Sequence, residues 1–354
     1  MKYNSVQILR VILFLIILAF HSGVPFSNIG WFGVVVFFVI SSFFLTKKLY
    51  LEDFSLVKQI KHRVLRLYPA YIVVLIVGVG YSILIKAFPY DLFFHLTSVQ
   101  NVLWMFTSYS SPMQPITAHT WTLSIEIICG IVLLLLLSFT KKSTKLLLFI
   151  MIALAIAFRT ILSCFGIDPY FISLCPISHF DSFALGALLA IAVKNNNSKT
   201  IYNFIFAIVG TIGIVSCILV TSLSKNVSLL DSYLLYSVSR NFLDNWFTSN
   251  VYLFIAMLGI GLLGMLISLS KKKEGRNCFV TSIFVYLGNN SYCLYLFHWP
   301  ILLFFTRFVD NWILVFFVVL GLSILASFLF SLFLGLIKRL LEKRKNSPTV
   351  ESNG

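Results

Sequence analysis

The sequence predicts an all-α, polytopic integral membrane protein of ten transmembrane helices with both termini in the cytoplasm. Hydrophobic residues make up 59% of the 354 residues, charged residues only 11%, and the mean hydropathy is +0.95. Soluble globular proteins do not have this composition. The apolar runs are long and lack the alternation of a transmembrane β-barrel, so they indicate helices, which satisfy their own backbone in lipid. The distribution of Lys and Arg then sets the orientation.

Ten apolar runs approach the length of about 20 residues that a helix needs to cross the hydrocarbon core. The first is interpreted as a span and not as a signal peptide, because its apolar run is long and no A-x-A cleavage site follows. We expect one membrane domain over residues 1–340 and a short, basic, flexible cytoplasmic tail over 341–354. The predicted spans are 7–24, 31–46, 69–88, 120–138, 145–165, 177–193, 201–222, 249–270, 282–306 and 312–337.

The formal net charge of +15 follows this topology. With the N-terminus in the cytoplasm, most Lys and Arg fall on the inner side, whereas the outer segments 89–119 and 166–177 contain neither. This is the positive-inside pattern. The charge therefore gives no reason to expect a nucleic-acid partner. We expect a multi-pass protein of the cell (inner or plasma) membrane, surrounded by lipid.

The six cysteines show no CxxC or zinc-type spacing and fall mostly within predicted spans. Buried thiols without a disulfide or a metal are the expected state. No metal site is predicted.

The first span, "LRVILFLIILAFHSG", carries Arg10 and His21 in an otherwise apolar run. Eleven positions at about 100° each end roughly 20° past three full turns, with a rise of about 16 Å. The two side chains therefore share one helix face, Arg10 near the inner boundary and His21 in the outer half. A snorkelling arginine and a neutral core histidine would also explain them. Ionisable residues inside a membrane are nevertheless functional candidates by default.

Three other spans carry ionisable groups at a similar predicted depth. They are Glu126 in "HTWTLSIE", Asp181 in "SHFDSFALGALLA" and His298 in "SYCLYLFHWP". Together with His21 they would bring two histidines and two carboxylates to one level. Such a group fits a general acid/base pair with an orienting partner. It fits equally a proton relay in a transporter or a structural polar network.

A second candidate site lies at the inner face, where "KHRVLRLYP" places Arg63 and Arg66 three residues apart. Residues at this spacing are neighbours on one side of a helix. Two guanidinium groups so placed would grip phosphates bidentately, although positive-inside bias alone also explains them. The surrounding segment "LVKQIKHRVLRLYP" is basic and amphipathic. We expect it along the inner membrane surface, with Pro69 in the first turn of the third span.

These stretches, with "GVVVFFVISSFFLT" and "LGNNSYCLYLFHWP", occur in the order typical of the membrane-bound acyltransferase-3 family. The chain resembles that family, whose members are O-acyltransferases that modify surface polysaccharides and related acceptors. The more specific signals are the Arg-x10-His pair, matched by Arg10 and His21, and the Arg-x-x-Arg pair, matched by Arg63 and Arg66. The resemblance covers most of the ten-helix domain.

The resemblance implies transfer of an acyl group, most often acetyl, from acyl-CoA supplied by the cytoplasm to a hydroxyl of a surface polysaccharide or its lipid-linked precursor. Acetyl-CoA would be a substrate, and no permanently bound cofactor is expected. The Arg-x-x-Arg pair and Arg10 would hold the nucleotide phosphates. His21 would be the general base, or would carry the acyl group, and Glu126, Asp181 or His298 would complete the catalytic site, with either carboxylate orienting the imidazole. A succinyl or other acyl donor stays possible.

The chain departs from the family pattern at three positions. It has Val35 where an acidic or polar residue is common, Ser42 where glycine is common, and His179 where a basic residue is common near Asp181. Many relatives carry an additional extracytoplasmic hydrolase-like domain that this sequence does not show. We therefore expect the membrane domain to complete the transfer itself.

Two other classes of function remain open from the residues alone. A proton-coupled transporter or polysaccharide flippase would use the same ionisable groups as a relay, and would favour broken helices and internal repeats, neither of which is evident. A non-catalytic membrane scaffold would explain the 36 Phe and 15 Tyr as packing and lipid-facing surface. It gives no reason for the ionisable groups in the outer half.

Overall fold

The computed structural model describes residues 3–25, 27, 29–51, 55–108, 110–139, 143–195, 200–225, 242–270 and 279–346. Over these ranges the chain is helical with no strand, which confirms the all-α prediction. Two short 3-10 turns, Ala118–Thr120 and Pro176–His179, precede the seventh and tenth helices. The α-helices are α1 Asn4–His21, α2 Phe32–Leu51, α3 Leu56–Leu84, α4 Leu92–Leu96, α5 Gln100–Phe106, α6 Gln114–Thr117, α7 Trp121–Phe139, α8 Thr144–Cys164, α9 Pro169–Leu174, α10 Phe180–Lys194, α11 Thr200–Lys225, α12 Phe242–Ser270, α13 Phe279–Asn289, α14 Ser291–Phe305 and α15 Trp312–Asn346.

Nine helical segments in the described residues are long and apolar enough to cross a membrane, and they correspond to nine of the ten predicted spans. The predicted ninth span, 282–306, is instead two helices, α13 and α14, separated at Asn290. Asn is a weak helix former that competes for backbone partners, and the Asn290 side chain donates to the Tyr286 carbonyl, 2.9 Å away. The prediction of one continuous helix there is wrong.

The predicted third span and the basic segment before it form one helix, α3. This helix begins after Ser55, whose hydroxyl accepts from the Lys58 N–H, and it continues through Pro69 to Leu84. Pro69 removes one hydrogen bond without ending the helix. The prediction of Pro69 in the first turn of a span starting at residue 69 is therefore wrong. The expected position of the basic segment along the inner membrane surface stays a prediction.

The last helix also passes a predicted boundary. α15 continues to Asn346, six residues beyond the expected end of the membrane domain, while 347–354 of the predicted tail lie outside the described residues. No disulfide joins the cysteines of the described ranges. Cys164 is exposed, contrary to the expectation of burial, and Cys278 lies outside the described residues.

The packing places α1 at the centre of the site. α1 contacts α2, α12, α13 and α14, and its buried residues belong to several apolar clusters that join these helices. α13 approaches α1 closely at Gly288, where an added Cβ would lie 2.2 Å from the Gln7 carbonyl oxygen. Arg10 and His21 are thus carried on one unbroken helix that packs against four others.

Candidate functional site

His21 and His298 form a hydrogen-bonded pair. His21 is the last residue of α1, and its Nδ1 lies 2.9 Å from Nε2 of the fully buried His298, with the two ring planes 4° apart. Nδ1 of His298 faces the Tyr295 carbonyl oxygen. Because a carbonyl only accepts, Nδ1 of His298 carries the proton, and its Nε2 accepts from Nδ1–H of His21. This assignment leaves a lone pair on Nε2 of His21.

A third histidine, His119, lies beside this pair and was not singled out from the sequence. Its ring centroid is 5.7 Å from that of His298, and its Nε2 lies 3.1 Å from the Leu296 carbonyl oxygen. Pro300 has no N–H, so this carbonyl lacks its usual helical donor four residues ahead and accepts from His119 instead. A histidine at the start of "HTWTLSIE" and a proline inside an apolar helix were the available signals.

His21 and His119 line an outer cavity of about 280 Å³. Its walls are rich in aromatic side chains, among them Trp31, Trp121 and Trp299. The Trp299 indole lies 4.9 Å from the His21 ring, and its Nε1 donates to the Pro115 carbonyl, 2.9 Å away. This cavity therefore combines two imidazoles with apolar, flat walls.

Glu126 does not join the histidines. Its Oε1 accepts from the Ser41 hydroxyl at 2.8 Å and lies 3.2 Å from Nη2 of Arg63, which also donates to the Glu126 carbonyl. The expectation that Glu126 orients the His21 imidazole is not met, since His298 occupies that position. The sequence predicts the depth of a residue along its helix, but that depth does not determine which helix its side chain faces.

Asp181 is also apart from the histidines. It is fully buried, and its Oδ2 accepts from Nη2 of Arg159 at 2.6 Å; Arg159 also donates to Asn250 Oδ1 at 3.2 Å and to the Ser178 carbonyl. The basic partner of Asp181 is thus Arg159 of α8, whereas His179 faces the Ser173 carbonyl. This network links α8, α10 and α12, and the available signal was an arginine, Arg159, inside the apolar predicted span 145–165. The predicted cluster of four groups is therefore wrong in its two carboxylates.

Arg10 and Arg66 line an inner cavity of about 50 Å³ together with Lys48, Arg63 and Glu126. Four cationic side chains against one carboxylate make this cavity positively charged, which suits an anion such as a phosphate. Arg66 is exposed, whereas Arg63 is held by Glu126. The Arg63 guanidinium packs where α7 has Gly130; an added Cβ there would lie 2.9 Å from its Cζ.

A middle cavity of about 60 Å³ lies between the other two. It shares Arg10, Arg66 and Glu126 with the inner cavity, and Val34 and Tyr295 with the outer one. The Tyr295 hydroxyl donates to the His119 carbonyl at 2.9 Å. The three cavities therefore follow one another from the cationic side chains to the histidines, with Tyr295 at the second junction.

A family model described as an acyltransferase domain, acyltransferase-3, matches residues 3–332. The chain belongs to the acyltransferase-3 family. The match covers α1 to α14 and most of α15, and it confirms the family indicated by the Arg10/His21 and Arg63/Arg66 motifs. This acyltransferase-3 protein is accordingly a membrane acyltransferase. No curated protein and no solved structure matches the chain significantly.

Proposed function

We propose that this protein transfers an acyl group, in our expectation acetyl, from acyl-CoA in the inner cavity to a hydroxyl of a carbohydrate acceptor in the outer cavity. The observation that carries the proposal is the hydrogen bond between Nδ1 of His21 and His298, at the end of a series of cavities that begins among four cationic side chains. In the tautomer assigned above, this bond leaves Nε2 of His21 with a lone pair. A donor with phosphates at one end and a reactive thioester at the other fits that arrangement.

The donor would bind with its phosphates beside Arg10, Lys48 and Arg66, which line the inner cavity. Arg63 would contribute less to binding the phosphates, because its guanidinium is already paired with Glu126. The narrow middle cavity then receives the pantetheine arm. Arg10 and His21 are separated by a helical rise of about 16 Å, so the arm would have to extend along α1.

The reaction step begins when Nε2 of His21 takes the proton of the acceptor hydroxyl. The oxygen attacks the thioester carbonyl, the C–S bond breaks, and the departing CoA thiolate takes up the proton that His21 has received. His298 holds the imidazole in the required tautomer through Nδ1–H. An acyl-histidine route would use the same Nε2 lone pair as the nucleophile; we favour direct transfer.

The acceptor would be a cell-surface polysaccharide or its lipid-linked precursor. Flat indole walls formed by Trp31, Trp121 and Trp299 suit the apolar face of a sugar ring. Hydroxyl groups of that sugar would then point towards the two histidines of the same cavity.

The deciding experiment combines one variant with one analysis. Mass spectrometry of surface polysaccharide from cells with and without the gene should show an acyl-sized difference, whose mass identifies the donor group. His21→Ala should abolish that difference while the protein still inserts into the membrane with unchanged thermal stability. Near wild-type acylation by a stable His21→Ala protein would overturn the mechanism, and an unmodified polysaccharide in both strains would overturn the acceptor.

A further inference from the structure

His119 lines the outer cavity and carries a second ring nitrogen, Nδ1, besides the Nε2 that contacts the Leu296 carbonyl. The side chain is 3% exposed, and Nε2–H donates to the Leu296 carbonyl. In a neutral imidazole this leaves Nδ1 as an acceptor. Nδ1 is buried, and no donor in the described part of the chain reaches it. Leaving a buried acceptor without a hydrogen bond costs folding free energy, and a donor from a bound ligand would remove that cost.

The backbone of His119 is held in place by hydrogen bonds from two side chains. Its carbonyl accepts from the Tyr295 hydroxyl at 2.9 Å and from the Thr122 hydroxyl at 3.1 Å. The Trp299 indole lies beside both cavity histidines, with ring centroids 4.9 Å from His21 and 6.1 Å from His119. A ring stacked on Trp299 would therefore present its edge to both imidazoles.

We propose that His119 is a specificity-determining residue that accepts a hydrogen bond at Nδ1 from a second hydroxyl of the acceptor, adjacent to the hydroxyl that His21 deprotonates. The acceptor class is thus a sugar or polyol with neighbouring hydroxyls, and simple monohydroxylic alcohols bind poorly. This inference rests on the proposed function and adds what the acceptor must carry besides the reacting group.

Two substitutions separate the two nitrogens of His119. In His119→Asn the amide oxygen can take the place of Nδ1, so the acceptor contact is kept. In His119→Gln the amide nitrogen can take the place of Nε2, so the bond to Leu296 is kept and the acceptor contact is lost. The full chain in detergent is assayed for thiol release from acetyl-CoA with a panel of methyl hexopyranosides, and then with monodeoxy analogues of the best one.

In the wild type, removing the hydroxyl next to the acylated one should raise KM about tenfold, the size of one buried hydrogen bond, with little change in kcat. His119→Gln should raise KM for the parent glycoside about as much, and the deoxy analogue should then bind no worse than the parent. His119→Asn should stay close to the wild type.

The inference is overturned if His119→Gln shows the same penalty for every deoxy analogue as the wild type. That result would mean that Nδ1 holds an ordered water only. The inference is also overturned if His119→Gln loses as much kcat as His21→Ala while its KM stays unchanged. Activity in a stable His21→Ala protein would instead contradict the proposed function, so the two failures are distinguishable.

Discussion

The Tyr295 carbonyl determines which ring nitrogen of His21 carries the proton, although of the two histidines it contacts only His298. It fixes the proton on Nδ1 of His298, which in turn makes His298 an acceptor and His21 a donor at Nδ1. A neutral imidazole orients His21 as a carboxylate would, but it adds no negative charge to stabilise an imidazolium. The pair is therefore better suited to a transient protonation of His21 than to a long-lived imidazolium.

The arginines of the inner cavity differ in what they can contribute. Arg66→Ala should weaken acyl-CoA binding about tenfold at unchanged thermal stability, because Arg66 is exposed and lines the inner cavity. Arg63→Ala should also lower the melting temperature, because Glu126 would lose its partner. Acyl-CoA binding and thermal unfolding of the purified protein measure both effects. An acyl-CoA affinity that stays unchanged when Arg63 and Arg66 are both replaced by alanine would contradict the phosphate role.

The sequence could predict those site residues whose relation is local. Arg10 and His21 lie on one regular helix, so their spacing was sufficient. His119 and Arg159 act through Leu296 and Asp181, which belong to other helices, and no local spacing reports such a contact. For the same reason Glu126 and Asp181 could be assigned a depth but not a partner.

At the level of elements, α14 both supports and divides the site. It carries His298, and its Tyr295 lies between the middle and outer cavities. Because Pro300 has no N–H, the Leu296 carbonyl of α14 is left to accept from His119. Its start at Ser291 was hidden within a predicted longer span, because hydropathy does not register a break between two apolar helices. A close approach such as that of Gly288 to α1 depends on the partner helix and is equally invisible in one sequence.

Tyr295 should limit the size of the acyl group. Tyr295→Ala would widen the junction between the cavities, so turnover of succinyl-CoA and butyryl-CoA should rise several-fold relative to acetyl-CoA. Tyr295→Phe is the matched control, since it keeps the ring and loses only the hydroxyl bonds to His119 and Thr122. Thiol release from each acyl-CoA provides the measurement. An identical donor profile in the wild type and Tyr295→Ala would rule out this role.

For the whole molecule, composition predicted the all-α membrane fold, because a long apolar run in lipid can satisfy its backbone hydrogen bonds by forming a helix. The order of the three cavities could not be predicted, since it depends on which faces of α1, α2, α7 and α14 meet. The Arg63/Arg66 motif lies at the inner end of this series, and the Arg10/His21 motif spans it from the inner cavity to the outer one. In the proposed function, donor recognition and acyl transfer would therefore take place at different points along α1.

A buried carboxylate outside the spans links stability to pH. Asp91, between α3 and α4, accepts from the Ser111 hydroxyl at 2.6 Å and the Met113 N–H at 3.0 Å, and lies 3.7 Å from Nε2 of His95. Burial alone would raise the pKa of Asp91, but these donors together hold that pKa below its ordinary value. A pKa lowered by folding stabilises the protein above the unfolded value, near 3.9, and the stabilisation is lost as the pH falls through the folded pKa.

Asp91→Asn should therefore lower the melting temperature clearly at about pH 6, and the difference from the wild type should shrink as the pH falls below about 4. The second reason for destabilisation is that Oδ1 of Asp91 is buried with no partner in the described residues, so an amide placed there leaves its N–H groups unsatisfied. Asp310→Asn is the control, because Asp310 is exposed. Thermal unfolding of the detergent-purified protein across this pH range measures the effect. A difference between Asp91→Asn and the wild type that stays constant with pH would show that the Asp91 charge contributes nothing to folding.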